Sequence, residues 1–294
     1  MIMSIDKLQN KIRKLKNPLM VAFSADYSQV PPAYLTDETN AIAGYSSYAK
    51  DLLVALKDTV PAVRFDFGSF SVQGVSGLNA LAELLRVADA QGYYVLLDAP
   101  ESWSPRQAEL LADGLMEKGS AWIFDGLLLS CYMGTDFLKP YAEYLNQNEK
   151  DLFVALRTGN KSASELQDLL TGSRLVYTAA ADIVKRIGEG FMARCGYSRI
   201  AGTGPASSAD ALNALRSKYP SVFLLVDGLD YSGANAKNCA QAFDQLGHGA
   251  VACVSGYVLA AWQETDAVDE DPISLSVQAA ERLKKNLNRY VTIL

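Results

Sequence analysis

Histidine and cysteine are scarce in this chain: of 294 residues, one is histidine and four are cysteine. The lone His248 stands in a Gly-His-Gly turn ahead of a strand candidate, where it reads as a loop residue. One imidazole cannot build a histidine-rich metal site or serve readily in a Ser-His-Asp triad. Cys131, Cys195, Cys239 and Cys253 lack metal-ligand spacing, so no metal is expected. Scattered cysteines, and an N-terminus with charges where a secretory apolar core would sit, make the cytoplasm the expected location. Excess positive charge is missing too. With 27 Lys and Arg against 33 Asp and Glu the net charge is −6, which gives no footprint for nucleic acid or an anionic membrane. The longest apolar run near the C-terminus, 249–262, is broken by Ser255 and Gly256 and is too short to cross a bilayer. No Gly-x-Gly-x-x-Gly follows the first strand candidate, which counts against a dinucleotide fold, and no cofactor is implied.

What the chain does have is a regular alternation. Strand candidates fall at 19–24, 62–67, 93–98, 121–130, 152–157, 198–203, 222–227 and 249–255. Most are apolar almost throughout, as strands covered on both faces of a parallel sheet must be. Amphipathic stretches at 78–90, 105–118, 163–170 and 208–218 lie between them. Eight such β then α units predict an α/β fold, a (β/α)8 barrel occupying residues 1–294 as one domain. The acidic segment 264–271 reads as a solvated loop.

A barrel carries its function at the C-terminal strand ends. Those ends include Ser24, Arg64-Phe65-Asp66, Asp98 to Trp103, Tyr132 to Asp136, Asp227-Gly228-Leu229-Asp230 and Ser255-Gly256-Tyr257. Arg64 and Asp66 are two apart on one strand, face the same way, and are expected to form a buried ion pair. Ser104-Pro105-Arg106-Gln107 is a capping box with proline at the first helical position. Thr135 and Asp136 read first as helix caps. Trp103, Tyr132, Tyr231 and Tyr257 sit on strand-end loops and are expected to plug the mouth.

The order of several short motifs resembles the long bacterial type of orotidine 5'-monophosphate decarboxylase. Val60-Pro61-Ala62-Val63-Arg64 is similar to that family's Val-Pro-Ala-Val-Lys, and Tyr132-Met133-Gly134-Thr135-Asp136 with Pro140 to its Tyr-Leu-Gly-Ser-Asp with proline. Arg157-Thr158-Gly159-Asn160 and the segment 165–169 resemble its Arg-Thr-Ser-Asn and a Gln-Asp-Leu helix. Asp98-Ala99-Pro100-Glu101-Ser102-Trp103 falls on its Asp-x-Lys-x-x-Asp loop.

The resemblance implies a homodimer binding a small nucleotide or other anionic small molecule, and a network of Asp and Lys that stabilises and protonates a carbanion. Here Ser24 replaces the first Asp, Arg64 the strand-two Lys, Pro100 the proton-donating Lys and Trp103 the last Asp, while Asp98 is kept. Arginine holds its proton too firmly to donate it, and proline has none to give. The phosphate-holding Gln and Arg fall on Ser232 and Gly256. Backbone N–H groups at Ser232-Gly233 and Ser255-Gly256 remain as a cradle for a small anion. The candidate catalytic residues are therefore Asp98, Arg64 and Asp66. The expected function is a non-decarboxylating paralogue. The alternatives are a lyase with another substrate or a decarboxylase with displaced residues.

Overall fold

A computed structural model describes residues 4–264 and 270–294. Eight parallel strands close on themselves: β1 (Leu19–Phe23), β2 (Ala62–Asp66), β3 (Tyr94–Asp98), β4 (Gly126–Ser130), β5 (Asp151–Ala155), β6 (Ser198–Pro205), β7 (Val222–Asp227) and β8 (Ala250–Val254). Each strand pairs with the next, and β8 returns to β1 through Leu19 opposite Ala252. This is the (β/α)8 barrel that the alternation predicts. The strands are apolar because both faces are covered: Val63, Phe65, Leu225 and Val251 are all fully buried.

Helix α1 (Ser4–Leu15) lies across the N-terminal strand ends. It buries Ile5, Leu8 and Ile12, while Lys7 reaches Asp125 just ahead of β4 and Asp6 accepts from the Cys195 amide ahead of β6. His248 is also on this face, in the loop before β8, its Nε2 3.1 Å from the Leu294 carbonyl oxygen. The mouth is at the opposite end. There Ser104 accepts from the Gln107 amide at the start of α2 (Pro105–Met116), and the Gln107 side chain accepts from Trp103 N at 2.8 Å. The capping box is thus present, shifted back by one donor.

Three local expectations change. The apolar run 121–125 does not extend β4; Trp122 turns off to stack edge-on against Phe67 at 5.3 Å. Residues 163–170 form no amphipathic helix. A 3-10 turn, Lys161–Glu165, leads into a two-stranded hairpin, and the helix follows as α4 (Val176–Gly188). The reason is local: the Asp168 carboxylate grips Arg157 at 2.9 and 3.0 Å, and Gln167 accepts from Thr158 N. Side chains bonded back to the strand end cannot sit on a helical face. Gly134, with φ 86°, takes the N-cap of α3 (Thr135–Asn148), so Thr135 and Asp136 lie in its first turn instead of capping it. Of the acidic segment, 265–269 lie outside the described residues, and Asp271 caps the last helix through the Ser274 amide.

Lys150, before β5, donates to the Phe124 carbonyl at 2.7 Å above the Phe124 ring. Burial pushes its ammonium down to about 8. A lysine lowered on folding binds fewer protons in the folded state between its folded and unfolded values. Its penalty is therefore relieved as pH rises from about 8 towards 10.5. Urea midpoints at pH 7.5, 8.5 and 9.5 are expected to show Lys150→Met losing its stability advantage over the wild type across this window. The change should be at most about 1.4 kcal/mol per pH unit.

Candidate functional site

The mouth is organised around Arg64. Its Nε and Nη2 donate to the Asp98 carboxylate at 2.8 and 2.6 Å, and its Nη1 donates to Asp227 Oδ1 at 2.8 Å. One guanidinium from β2 therefore ties the end of β3 to the end of β7 on the far side of the barrel. The bidentate geometry toward Asp98 is the strong form of this contact. Desolvation works against the charge on Arg64, but Asp98 and then Asp227 outweigh it and hold the guanidinium above its ordinary value. Burial pushes the Asp98 carboxyl above the usual carboxylate range, against the pull of Arg64.

The expected Arg64–Asp66 ion pair does not form. Asp66 is the last residue of β2, and its carboxylate turns forward to accept from Gly68 N and Ser69 N at 3.0 and 3.3 Å, capping the turn Phe67–Ser71. Those amides lie within reach along the chain, whereas Arg64 finds two carboxylates across the sheet. Asp66 still sits opposite Asp98 in strand register.

The backbone cradle expected after β8 is already occupied from within. The Asp230 carboxylate accepts from Ser255 N at 3.0 Å and from Gly256 N at 2.7 Å, while Ser255 Oγ donates to the Ala22 carbonyl. The two amides expected to cradle an anion are bonded to this chain's own Asp230. Ser232 and Gly233 are exposed in the turn after β7 and line neither cavity at the mouth.

The aromatic plug is also absent. Trp103 and Tyr132 are each 71% exposed, Tyr231 55% and Tyr257 47%. Exposed to this extent, these side chains leave two cavities at the mouth. Tyr231 leans over Gly228. A Cβ there would stand 2.3 Å from its ring, and φ of +72° independently favours glycine.

Two cavities result. A central one of 180 Å³ holds Ser24, Arg64, Asp227 and Asp230, and a groove of 790 Å³ runs along the ends of β2, β3 and β4 past Pro100, Glu101 and Trp103. Asp66 and Asp98 line both. No lysine lines either among the described residues. Sequence reasoning gave Asp227 and Asp230 no role, though both belong to a strand-end tetrad with a carboxylate at each end. Nothing in the sequence marked Tyr141, which comes into the groove from helix α3.

Comparison with known proteins places this geometry. Over 290 residues, 98% of this chain and 100% of the relative, it is 26% identical to orotidine 5'-phosphate decarboxylase of Clostridium novyi (strain NT). The chain is similar to the orotidine 5'-phosphate decarboxylases. The Rhodopirellula baltica decarboxylase is 27% identical over 245 residues, 81% of each chain. Leishmania donovani OMP decarboxylase has the same fold, with a TM-score of 0.75 and 24% identity over 98% of this chain and 99% of that one. The Methanocaldococcus jannaschii decarboxylase, solved with inhibitor BMP, gives 0.59 at 14% identity, covering 90% and 97%. No family model matches the chain. Asp98, expected from the sequence to keep the motif's first carboxylate, is bonded here to Arg64. Among the described residues, no helix is long and apolar enough to cross a membrane.

Proposed function

We propose that this chain is a non-decarboxylating relative of the orotidine 5'-phosphate decarboxylases, a small-molecule-binding barrel with a rebuilt mouth. The observation that carries the reading is the Arg64 node. The decarboxylation needs a group that stabilises a carbanion and then gives it a proton. Arg64 is bonded to two carboxylates, does not release its proton near neutrality, and among the described residues no lysine lines its cavity. Asp230, seated on the amides after β8, removes the remaining anion cradle.

Loss of orotidine monophosphate absorbance tests this directly. No turnover is expected at micromolar enzyme, beside an authentic decarboxylase that turns over under the same conditions. Turnover that disappears in Asp98→Ala would overturn the reading. The same reading carries the homodimer across the strand-end face that the resemblance implies. Sedimentation equilibrium is expected to return twice the chain mass, and a single-chain mass would count against it.

One observation favours a second reading, a lyase with another substrate: Asp66 and Asp98 stand side by side at an open cavity. Under it, Asp66→Asn abolishes conversion of the bound molecule. Under the first reading there is no conversion to lose.

A further inference from the structure

We infer that the 790 Å³ groove takes an organic cation, an ammonium group carried on a flat apolar body, in place of the nucleotide that the family resemblance implies. This rests on the reading that the mouth no longer serves orotidine monophosphate, and it names what the rebuilt site selects. Charge is the first argument. Five carboxylates and one guanidinium line the two cavities among the described residues, and the guanidinium is paired with both Asp98 and Asp227. Asp66, Glu101 and Asp230 have no cation at all among their described hydrogen bonds and ion pairs. A cleft lined by one sign of charge focuses its field and concentrates ligands of the opposite sign. A phosphate and a carboxylate on one ligand would meet net repulsion.

The walls supply the second argument. Trp103 and Tyr132 stand at the groove with most of their surface exposed, and Phe67 and Phe137 line it further in. Ring faces beside carboxylates attract cations by their quadrupole as well as by charge. The volume suits a ligand of ordinary small-molecule size.

The third argument is an enclosed polar side chain in the groove wall. Tyr141 is 1% exposed and lines the groove, yet its buried hydroxyl makes no hydrogen bond of ordinary geometry. Ser102, also at the groove, offers it a loose hydrogen bond that works against the effect of burial. Burial pushes that hydroxyl up to about 12, so it stays protonated at neutral pH and keeps a proton to donate.

Three indoles of one shape and different charge test the inference by calorimetry on the full chain: tryptamine (cation), tryptophol (neutral) and indole-3-acetate (anion). Tryptamine is expected to bind about tenfold more tightly than tryptophol, with indole-3-acetate weakest. Glu101→Gln, on an exposed loop where folding is not at risk, is expected to narrow the gap between amine and alcohol about threefold. Trp103→Ala is expected to weaken both without changing their order. Acetate binding as tightly as amine overturns the inference, as does the absence of saturable tryptamine binding below about 10 mM. Orotidine monophosphate turnover is followed in the same preparations. Turnover with the charge order intact sinks only the non-decarboxylating reading, whereas a lost charge order without turnover sinks only this one.

Discussion

Arg64→Met is expected to cost about 3 kcal/mol of stability, a fall in Tm of roughly 6–12 °C, because it strands two carboxylates at the barrel mouth. Truncating one partner of a buried pair typically costs about 3–5 kcal/mol. The lower end applies here because the Asp227 side chain is 36% exposed and water screens part of the penalty. The pH dependence has a definite sign. Burial already raises the Asp98 carboxyl with its arginine in place, and without Arg64 the pull in the other direction is gone. A carboxyl raised on folding favours the folded state below its unfolded value and loses that advantage as pH rises through the folded one. The deficit of Arg64→Met against the wild type should therefore shrink between pH 7 and pH 5, read from urea midpoints. Adding Asp98→Asn and Asp227→Asn should recover at least half of it at pH 7. A loss below about 1 kcal/mol would mean that the node does not hold the mouth together.

Much of this node could be anticipated from the sequence, but not its pairing. The inward direction of Arg64 follows from strand periodicity, and the buried strands follow from their apolar runs. Which carboxylate Arg64 meets depends on the closure of the barrel, which brings β7 within reach of β2, 163 residues away. No local pattern contains that distance. Asp66 shows the opposite bias, for its two amide donors lie two and three residues ahead. The capping reading made for Ser104 would have served for Asp66 as well. The helix expected at 163–170 does not form because Asp168 and Gln167, legible as part of a Gln-Asp-Leu helix, instead bond back to Arg157 and the Thr158 amide at the strand end. Asp230 was hidden for another reason. It bonds the amides expected to cradle an anion, and a sequence shows the carboxylate without showing which amides it has taken.

The barrel has a second arginine–carboxylate node, at its floor, and comparing the two separates stability from binding. Arg199 is 2% exposed on β6 and faces Asp151, fully buried at the start of β5, with 3.4 Å between Nε and Oδ1. Its other donors reach the Leu145 and Lys150 carbonyls and Asn146, while Tyr94 donates to the second Asp151 oxygen at 2.8 Å. Gly126 makes room for that tyrosine, since a Cβ there would stand 2.5 Å from the Tyr94 hydroxyl. With no water to screen the stranded carboxylate and two carbonyls losing their donor, Arg199→Met is expected to cost about 5 kcal/mol, more than Arg64→Met. Asp151→Asn in the same background should return part of it by removing the charge. The floor lies at the N-terminal strand ends and touches neither mouth cavity. At a temperature where the variant is still folded, its tryptamine affinity should therefore match the wild type, whereas Arg64→Met should change affinity and stability together. Equal loss of affinity in both variants would mean that the mouth depends on the whole barrel rather than on its own charges, and the Arg64 node would lose its special standing.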